Sequence, residues 1–351
     1  MIRVLVVDDS AVLRQSTKFI LESDPDLKVI GEAVNGVDAL ELVDRLRPDV
    51  ITMDIRMPKM DGLEAIRQIM AARPAPIVVV TSIDLDRELG VTAQATKLGA
   101  VSVLRRPESV ASPSYRTFAT SLIQQVKLMS SVKLVHRPLD GRNQQAAPPS
   151  GNIASLGALN RTTKTEIVAI GSSTGGPAAL HKLLTGLPSS FPLPIVVVQH
   201  ISFGFVKGLA EWLNDACQIR VKVGEQGERL QGGTAYIAPD DCHLMVDRFN
   251  KITLSSSEPV GGFRPSVTPL FQSTAHNYGA AAIGVILTGM GSDGAAGMLA
   301  MKQAGALNLA QDEASCVVFG MPKEAIALGA VHHIVPLDKM AAMIQSCMIT
   351  T

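Results

Sequence analysis

A serine stands between glycines in Gly171-Ser172-Ser173-Thr174-Gly175, directly after the apolar run Ile167 to Ile170 and before the helical stretch Ala178 to Leu184. Strand, tight glycine turn and helix in that order expose the central hydroxyl of Gly-x-Ser-x-Gly at a corner, which makes Ser173 a candidate nucleophile. Backbone N–H groups at the start of the following helix, those of Thr174 and Gly175, are placed to meet an oxyanion. A serine needs a base to take its proton, and histidine is the usual one at neutral pH. Of the seven histidines, His200 ends the run Ile195 to Gln199 and so shares a strand-end edge with Ser173, whereas His181 lies on a helix and His332-His333 near the chain's end. A carboxylate that orients the imidazole is the expected third partner. Asp293, in Leu287-Thr288-Gly289-Met290-Gly291-Ser292-Asp293-Gly294, again follows a strand.

Taken singly, each has a plainer reading: a structural turn at Ser173, packing or capping by His200, an ordinary turn at Asp293. Together they follow three different strands in the order Ser, His, Asp. Ordinary α/β-hydrolases run Ser, Asp, His, so the set predicts the same chemistry on another parallel sheet. Two phosphate-binding readings of the loop fail. Pro177 follows Gly176 where a P-loop needs Lys-Ser/Thr, and no Gly-x-Gly-x-x-Gly is present.

A second constellation is acidic. Asp8 and Asp9 follow the run Val4 to Val7, and Asp54 follows Val50 to Met53. Beyond the carboxyl ends of parallel strands these three carboxylates converge. Such a cluster repels itself unless a hard cation such as Mg²⁺ neutralises it, and a carboxylate held there can carry a phosphoryl group as nucleophile. The alternative is a helix cap at Asp8 or Asp9 and an exposed turn at Asp54.

The elements that must position these residues alternate. Val4 to Val7, Val50 to Met53 and Ile77 to Val80 read as strands, and Val12 to Leu21, Val37 to Leu46 and Leu63 to Ala71 as amphipathic helices. Tyr115, Phe118, Ala119, Leu122, Ile123 and Val126 have the spacing of a closing helix. Alternation of this kind predicts a doubly wound parallel sheet over residues 1–130. Residues 131–164 are Pro-, Gly- and Gln-containing, and carry Lys133, Arg137, Arg142, Arg161 and Lys164 against Asp140, a net +4, so a basic flexible linker is expected. From residue 165 to 351 the alternation resumes, with strands at Ile167 to Ile170, Ile195 to Val198, Ala235 to Ile237, Ile283 to Leu287 and Leu307 to Ala310. The expectation is two α/β domains.

Composition sets the outer bounds. With 351 residues, 46% apolar, and 32 Lys+Arg against 32 Asp+Glu, the chain can bury two cores and has no net field for nucleic acid or anionic lipid. Its apolar runs fall far short of the roughly 20 residues that span a bilayer. The first strand reaches Asp8 too soon for a secretory signal, so a cytoplasmic protein without membrane insertion is expected. The four cysteines, Cys217, Cys242, Cys316 and Cys347, form no Cys-x-x-Cys pair and are expected as buried, reduced thiols.

With Met57-Pro58-Lys59-Met60-Asp61-Gly62-Leu63, Thr81-Ser82 and Arg106-Pro107 added to the three aspartates, residues 1–130 resemble the response-regulator receiver domain. That resemblance implies a flavodoxin-like fold, phosphorylation at Asp54, Mg²⁺ held by Asp8, Asp9 and Asp54, and signalling contacts from Thr81 and from Arg106, which stands where the family usually has lysine. Val103 occupies the usual aromatic switch position, and Arg56 a position where relatives often carry glutamate.

From about Glu166 to Leu337, Ser172-Ser173-Thr174-Gly175-Gly176-Pro177, Gln199-His200, Tyr236-Ile237-Ala238-Pro239, His243-Leu244, Arg264-Pro265-Ser266, Leu287-Thr288-Gly289-Met290-Gly291 and Ala310-Gln311-Asp312-Glu313 resemble the catalytic domain of the CheB family of chemotaxis methylesterases, a Rossmann-like parallel-sheet unit. The family joins such a receiver to such a hydrolase. The resemblance implies hydrolysis of glutamate γ-methyl esters on methyl-accepting chemoreceptors, with release of methanol, and receptor glutamine deamidation in some members. It adds the Met290 N–H as an oxyanion donor and a CheA-like histidine kinase as partner; a monomeric chain and no cofactor for ester hydrolysis are further expectations. A phosphoryl sink or docking protein with vestigial esterase activity is the alternative.

Overall fold

A computed structural model describes residues 1–81, 102–107, 109, 112, 114–130, 163–201 and 203–348 of the chain. The expected linker, apart from residues 163–164, and Ser82 lie outside the described residues. The first unit runs β1 (Ile2–Val7), α1 (Ala11–Glu22), β2 (Leu27–Ala33), α2 (Gly36–Leu46), β3 (Val50–Met53), α3 (Gly62–Ala72), β4 (Ile77–Thr81), β5 (Ser102–Arg105) and α4 (Ser114–Met129). Its five strands are parallel in the order β2-β1-β3-β4-β5. That is the flavodoxin-like order, whose switch point lies between β1 and β3. The inner strands β1, β3 and β4 are near-continuous apolar runs because both faces of the sheet are covered there. Leu5, Val7, Ile51, Met53 and Val79 pack on one face, and Val4, Val6, Val50, Val78 and Val80 on the other.

The second unit continues with β6 (Ile167–Ser172), α5 (Gly176–Leu184), β7 (Ile195–Gln199), α6 (Val206–Ala216), β8 (Arg220–Val223), β9 (Thr234–Ile237), β10 (His243–Val246), β11 (Ile252–Ser255), α7 (Val267–Tyr278), β12 (Ala282–Ile286), α8 (Ala295–Gln303), β13 (Leu307–Gln311), α9 (Met321–Ala327), β14 (His333–Val335) and α10 (Leu337–Ser346). Seven of these strands form a parallel sheet in the order β14-β13-β12-β6-β7-β9-β8, and β10 and β11 make a separate antiparallel pair. From the central β6 the chain passes to β7, then to the edge strand β8, and returns to β9 between them, before crossing to β12 on the other side. A crevice therefore opens at the carboxyl ends of β6, β7 and β12, where Ser173, His200 and Asp293 follow in sequence.

The strand expectations hold where apolar runs are long. The hairpin β10–β11 and the edge strands β8 and β14 were not anticipated, being three- or four-residue segments of mixed burial. Among the cysteines only Cys347 is buried; Cys217, Cys242 and Cys316 are half-buried, all four are free, and the expectation of uniformly buried thiols is corrected. No helix among the described residues is long and apolar enough to cross a membrane.

The two units touch. Phe205, just ahead of α6, is buried among the first unit's core residues, with Val103 and Ile201 packed beside the same cluster. Val318, which follows β13, packs against the other face of the first sheet.

Candidate active site

The nucleophile corner is built from backbone constraints. The Ser173 N–H donates to the Thr288 carbonyl at 3.0 Å and the Gly176 N–H to the Ser173 carbonyl at 2.8 Å. Pro177 follows as the second residue of helix α5, where its missing N–H costs nothing in a first turn. Gly289 packs so closely that a Cβ there would lie 2.8 Å from the Ser173 Cβ, which only glycine permits. Gln199, almost fully buried at the end of β7, ties the strand ends together. Its amide donates to the carbonyls of Ser173 (2.8 Å) and His200 (2.7 Å), while its oxygen accepts from the Ser172 hydroxyl (2.7 Å). The His200 N–H donates to the Ser172 carbonyl at 3.0 Å, so base and nucleophile loops are fastened to each other through main chain.

His200 Nε2 lies 2.8 Å from Asp293 Oδ2. Asp293 is itself fixed: Oδ2 also accepts from the Val267 N–H (2.7 Å), and Oδ1 from the Ser266 hydroxyl (2.7 Å), the Thr268 hydroxyl (2.7 Å) and the Thr268 N–H (3.1 Å). These donors belong to the cap and first turn of α7, where the helix dipole favours an anion. Burial alone would raise the Asp293 carboxyl. The hydrogen bond and charge of His200, with those of Ser266 and Val267, outweigh it and bring the carboxyl down to about 2. As an acceptor only, Asp293 sets the tautomer: Nε2 carries hydrogen and Nδ1 presents a lone pair. His200 Nδ1 is buried and has no hydrogen-bond partner among the described residues. The Ser173–His200 hydrogen bond is not made among the described residues, as is common before substrate tightens a site.

The Thr174 and Met290 N–H groups donate to no partner among the described residues, Met290 standing on the exposed rim and Thr174 at the buried corner. Phe263 lies flat on the His200 ring, centroids 4.1 Å apart and planes 5° apart. Gln199, Phe263, Ser266 and Thr268 were not singled out as site residues by sequence reasoning. Gln199 and Ser266 lay inside quoted motifs; nothing local marked Phe263 or Thr268. Cys316, near Thr288, is no rival nucleophile, because burial, helped by Asp312, pushes its thiol up to about 12.

In the first unit, Asp8, Asp9 and Asp54 bring carboxylate oxygens within 4.8 Å of one another. The expected helix-cap alternative is not what forms: Ser10 caps α1, and Asp8 Oδ1 accepts the Ser10 N–H at 3.0 Å. Burial first, then the negative charge of Asp8, pushes Asp54 up to about 6, against the Ile55 N–H and Arg106. Arg106 is buried, its guanidinium donating to Asp8 Oδ2 (2.8 Å) and the Thr17 hydroxyl (3.1 Å). Thr81 is buried at the end of β4, and its carbonyl accepts the Arg106 N–H at 2.9 Å; Arg56 is exposed beside Asp54. Clustered hard oxygens of net negative charge fit Mg²⁺.

Fold and site thus define a two-part α/β protein, a crevice of clustered aspartates on one parallel sheet joined to a second parallel sheet with serine, histidine and aspartate at its strand ends. The response regulator receiver domain model matches residues 4–112 and the CheB methylesterase model residues 168–344. A protein-glutamate methylesterase/protein-glutamine glutaminase of Syntrophus aciditrophicus is 43% identical over 344 residues, covering 98% of this chain and 97% of its own. One of Myxococcus xanthus is 45% identical over 345 residues, covering 98% and 96%. The crystal structure of the Thermotoga maritima CheB methylesterase catalytic domain matches with a TM-score of 0.51 and 41% identity, over 52% of this chain and 98% of that one. The chain belongs to the CheB methylesterase family, with an N-terminal receiver domain.

Proposed function

We propose that the chain hydrolyses glutamate γ-methyl esters on methyl-accepting chemoreceptors, and deamidates receptor glutamines at the same centre, under control of phosphorylation at Asp54. The observation that carries the reading is His200, held at Nε2 by Asp293, with Nδ1 buried and unpaired among the described residues, on a loop fastened to the Ser173 turn through main chain and Gln199. Ser173 Oγ attacks the ester carbonyl as His200 Nδ1 takes its proton. The oxyanion accepts hydrogen bonds from the Thr174 and Met290 N–H groups. Collapse breaks the ester C–O bond, and His200 returns the proton to the departing methoxide, releasing methanol. Water, deprotonated by His200, then cleaves the acyl-enzyme to free glutamate and restore Ser173. With a glutamine substrate ammonia leaves instead. The completeness of this set speaks against the alternative of a phosphoryl sink with vestigial hydrolysis.

Asp8, Asp9 and Asp54 would hold Mg²⁺, which supplies charge neutralisation for phosphoryl transfer from a CheA-like kinase to the Asp54 carboxylate. Thr81 and Arg106 stand ready to meet the phosphoryl oxygens. The receiver's contacts at Phe205 and Val318 lie on loops flanking the Ser173 crevice, so its displacement would uncover the site. The test is methanol release from methylated receptor membranes with Mg²⁺, with and without a small phosphodonor. Ser173→Ala is expected to lose at least roughly a thousandfold in turnover, and Asp54→Asn to keep basal release while losing stimulation. Full activity of Ser173→Ala would overturn the hydrolytic reading; donor stimulation surviving in Asp54→Asn would overturn the control.

A further inference from the structure

Resting on the hydrolytic reading above, we infer that Phe263 is a positioning residue of this centre that favours the protonated state of His200 formed during turnover. Its ring lies parallel to the imidazole, 5° between planes and 4.1 Å between centroids. Neutral rings stacked in parallel gain mainly contact and a weak quadrupole term. A cation over the face of an aromatic ring gains a charge–quadrupole attraction in addition. The geometry therefore suits imidazolium better than imidazole, and an interaction stronger after proton transfer than before it speeds the step.

The ring is deliberately presented. Val260 and Phe263 exchange N–H···O bonds of 3.1 Å across Gly261-Gly262, whose φ values of 61° and 86° give the tight turn only glycines take readily. Arg264, the residue after Phe263, is anchored, its Nε donating to Asp241 Oδ1 (2.8 Å) and its Nη1 to the carbonyls of Ser256 (2.9 Å) and Ser257 (3.0 Å). Three residues beyond Phe263, Ser266 donates to Asp293. One strap between β11 and α7 thus holds the face of the base with one residue and its carboxylate partner with another. Phe263 is 39% exposed, so its replacement need not disturb the core.

The test compares Phe263→Leu, Phe263→Tyr and Phe263→Trp in the full chain by methanol release, with Ser173→Ala alongside and urea midpoints to confirm folding. Phe263→Leu is expected to lower kcat roughly 2- to 30-fold with KM nearly unchanged, and both aromatic variants to restore it. In parallel, the His200 ring protons should sit upfield in the NMR spectra of the wild type and Phe263→Tyr, and move downfield in Phe263→Leu. Wild-type kcat in Phe263→Leu, or a rise in KM with kcat unchanged, overturns the inference, the latter by making Phe263 a substrate contact. If Phe263→Leu is unaffected while Ser173→Ala is dead, this inference alone fails; if Ser173→Ala is active, the hydrolytic reading fails with it.

Discussion

Replacing Asp293 by asparagine poses a question of hydrogen-bond direction that the geometry of this site answers. The Oδ2 side faces two nitrogens, His200 Nε2 and the Val267 N–H, while the Oδ1 side faces two hydroxyls, Ser266 Oγ and Thr268 Oγ1, besides the Thr268 N–H. The Val267 N–H can only donate, so an amide NH₂ there meets a donor it cannot satisfy. Hydroxyls rotate and accept, and the Thr268 N–H keeps a second acceptor in Ser266 Oγ at 3.3 Å. Asparagine should therefore turn its oxygen to His200 and its nitrogen to the hydroxyls. The Nε2–H tautomer survives, and with it the Nδ1 lone pair. What is lost is charge: a charge-assisted hydrogen bond becomes a neutral one, worth about 1 to 2 kcal/mol less. That corresponds to roughly a 5- to 30-fold fall in kcat. In a serine protease where the same change reverses the tautomer, the loss is about 10⁴. Asp293→Ala, which frees the imidazole altogether, should fall to that deeper level. Methanol release by the two variants decides the matter, and an Asp293→Asn variant as inactive as Asp293→Ala would refute the argument. The same carboxylate ties stability to pH. Its value falls from 3.8 to about 2 on folding, roughly 2 to 3 kcal/mol. A depressed value contributes stability that is present above pH 3.8 and is lost as pH falls toward 2. Trp212, the one tryptophan and a residue packed on the second unit's core, reports that unfolding by fluorescence, and Asp293→Ala should flatten the acid slope.

Two further outcomes are expected. Gln199→Leu leaves the buried Ser172 hydroxyl without its acceptor and frees the loops after β6 and β7, so it should cost about 2 to 4 kcal/mol in urea unfolding and roughly 10- to 100-fold in kcat; wild-type kcat would show that the Gln199 bridge does not set the site. Arg106→Ala strips Asp8 of a buried cation, which should destabilise the receiver by about 3 to 5 kcal/mol, and added Mg²⁺ should raise the variant's melting temperature more than the wild type's. Equal Mg²⁺ responses would show that Arg106 does not neutralise that crevice.

What the chain discloses before folding depends on whether the relevant interaction is local. Ser173 was legible because a glycine turn between an apolar run and a helix is a local event, and His200, Asp8, Asp9 and Asp54 because each follows its strand directly. The pinning of Asp293 was not. Ser266 and Thr268 reach it only because α7 packs beside the end of β12, and Phe263 reaches His200 only because the strap from β11 folds back over β7. The hairpin β10–β11 escaped notice for a related reason: four-residue strands with half-buried positions lack the continuous apolar signal of the parallel sheet. Arg106 was named only through the receiver resemblance, and its hold on both Asp8 and Thr17 requires α1 to be docked.

The contacts between the units set a last constraint, on kinetics. If the receiver lowers turnover only by occlusion, saturating substrate selects the uncovered arrangement, and the penalty falls on KM in proportion to the covered fraction, leaving kcat alone. Phe205 is buried in the first unit's core cluster, whereas Val318 is only partly buried against the other face. Full burial of such a side chain contributes about 1.5 to 3 kcal/mol, so Phe205→Ala should lower KM of the unphosphorylated chain by roughly 10- to 100-fold. Val318→Ala, whose backbone bonds to Gly289 and Thr288 persist, should lower it less. Phe205 stands only five residues beyond His200 on the same loop, however. A receiver that also holds the base out of place would make Phe205→Ala raise kcat while Val318→Ala does not. Steady-state constants of the two variants, measured without phosphodonor, therefore separate a cover from a lever.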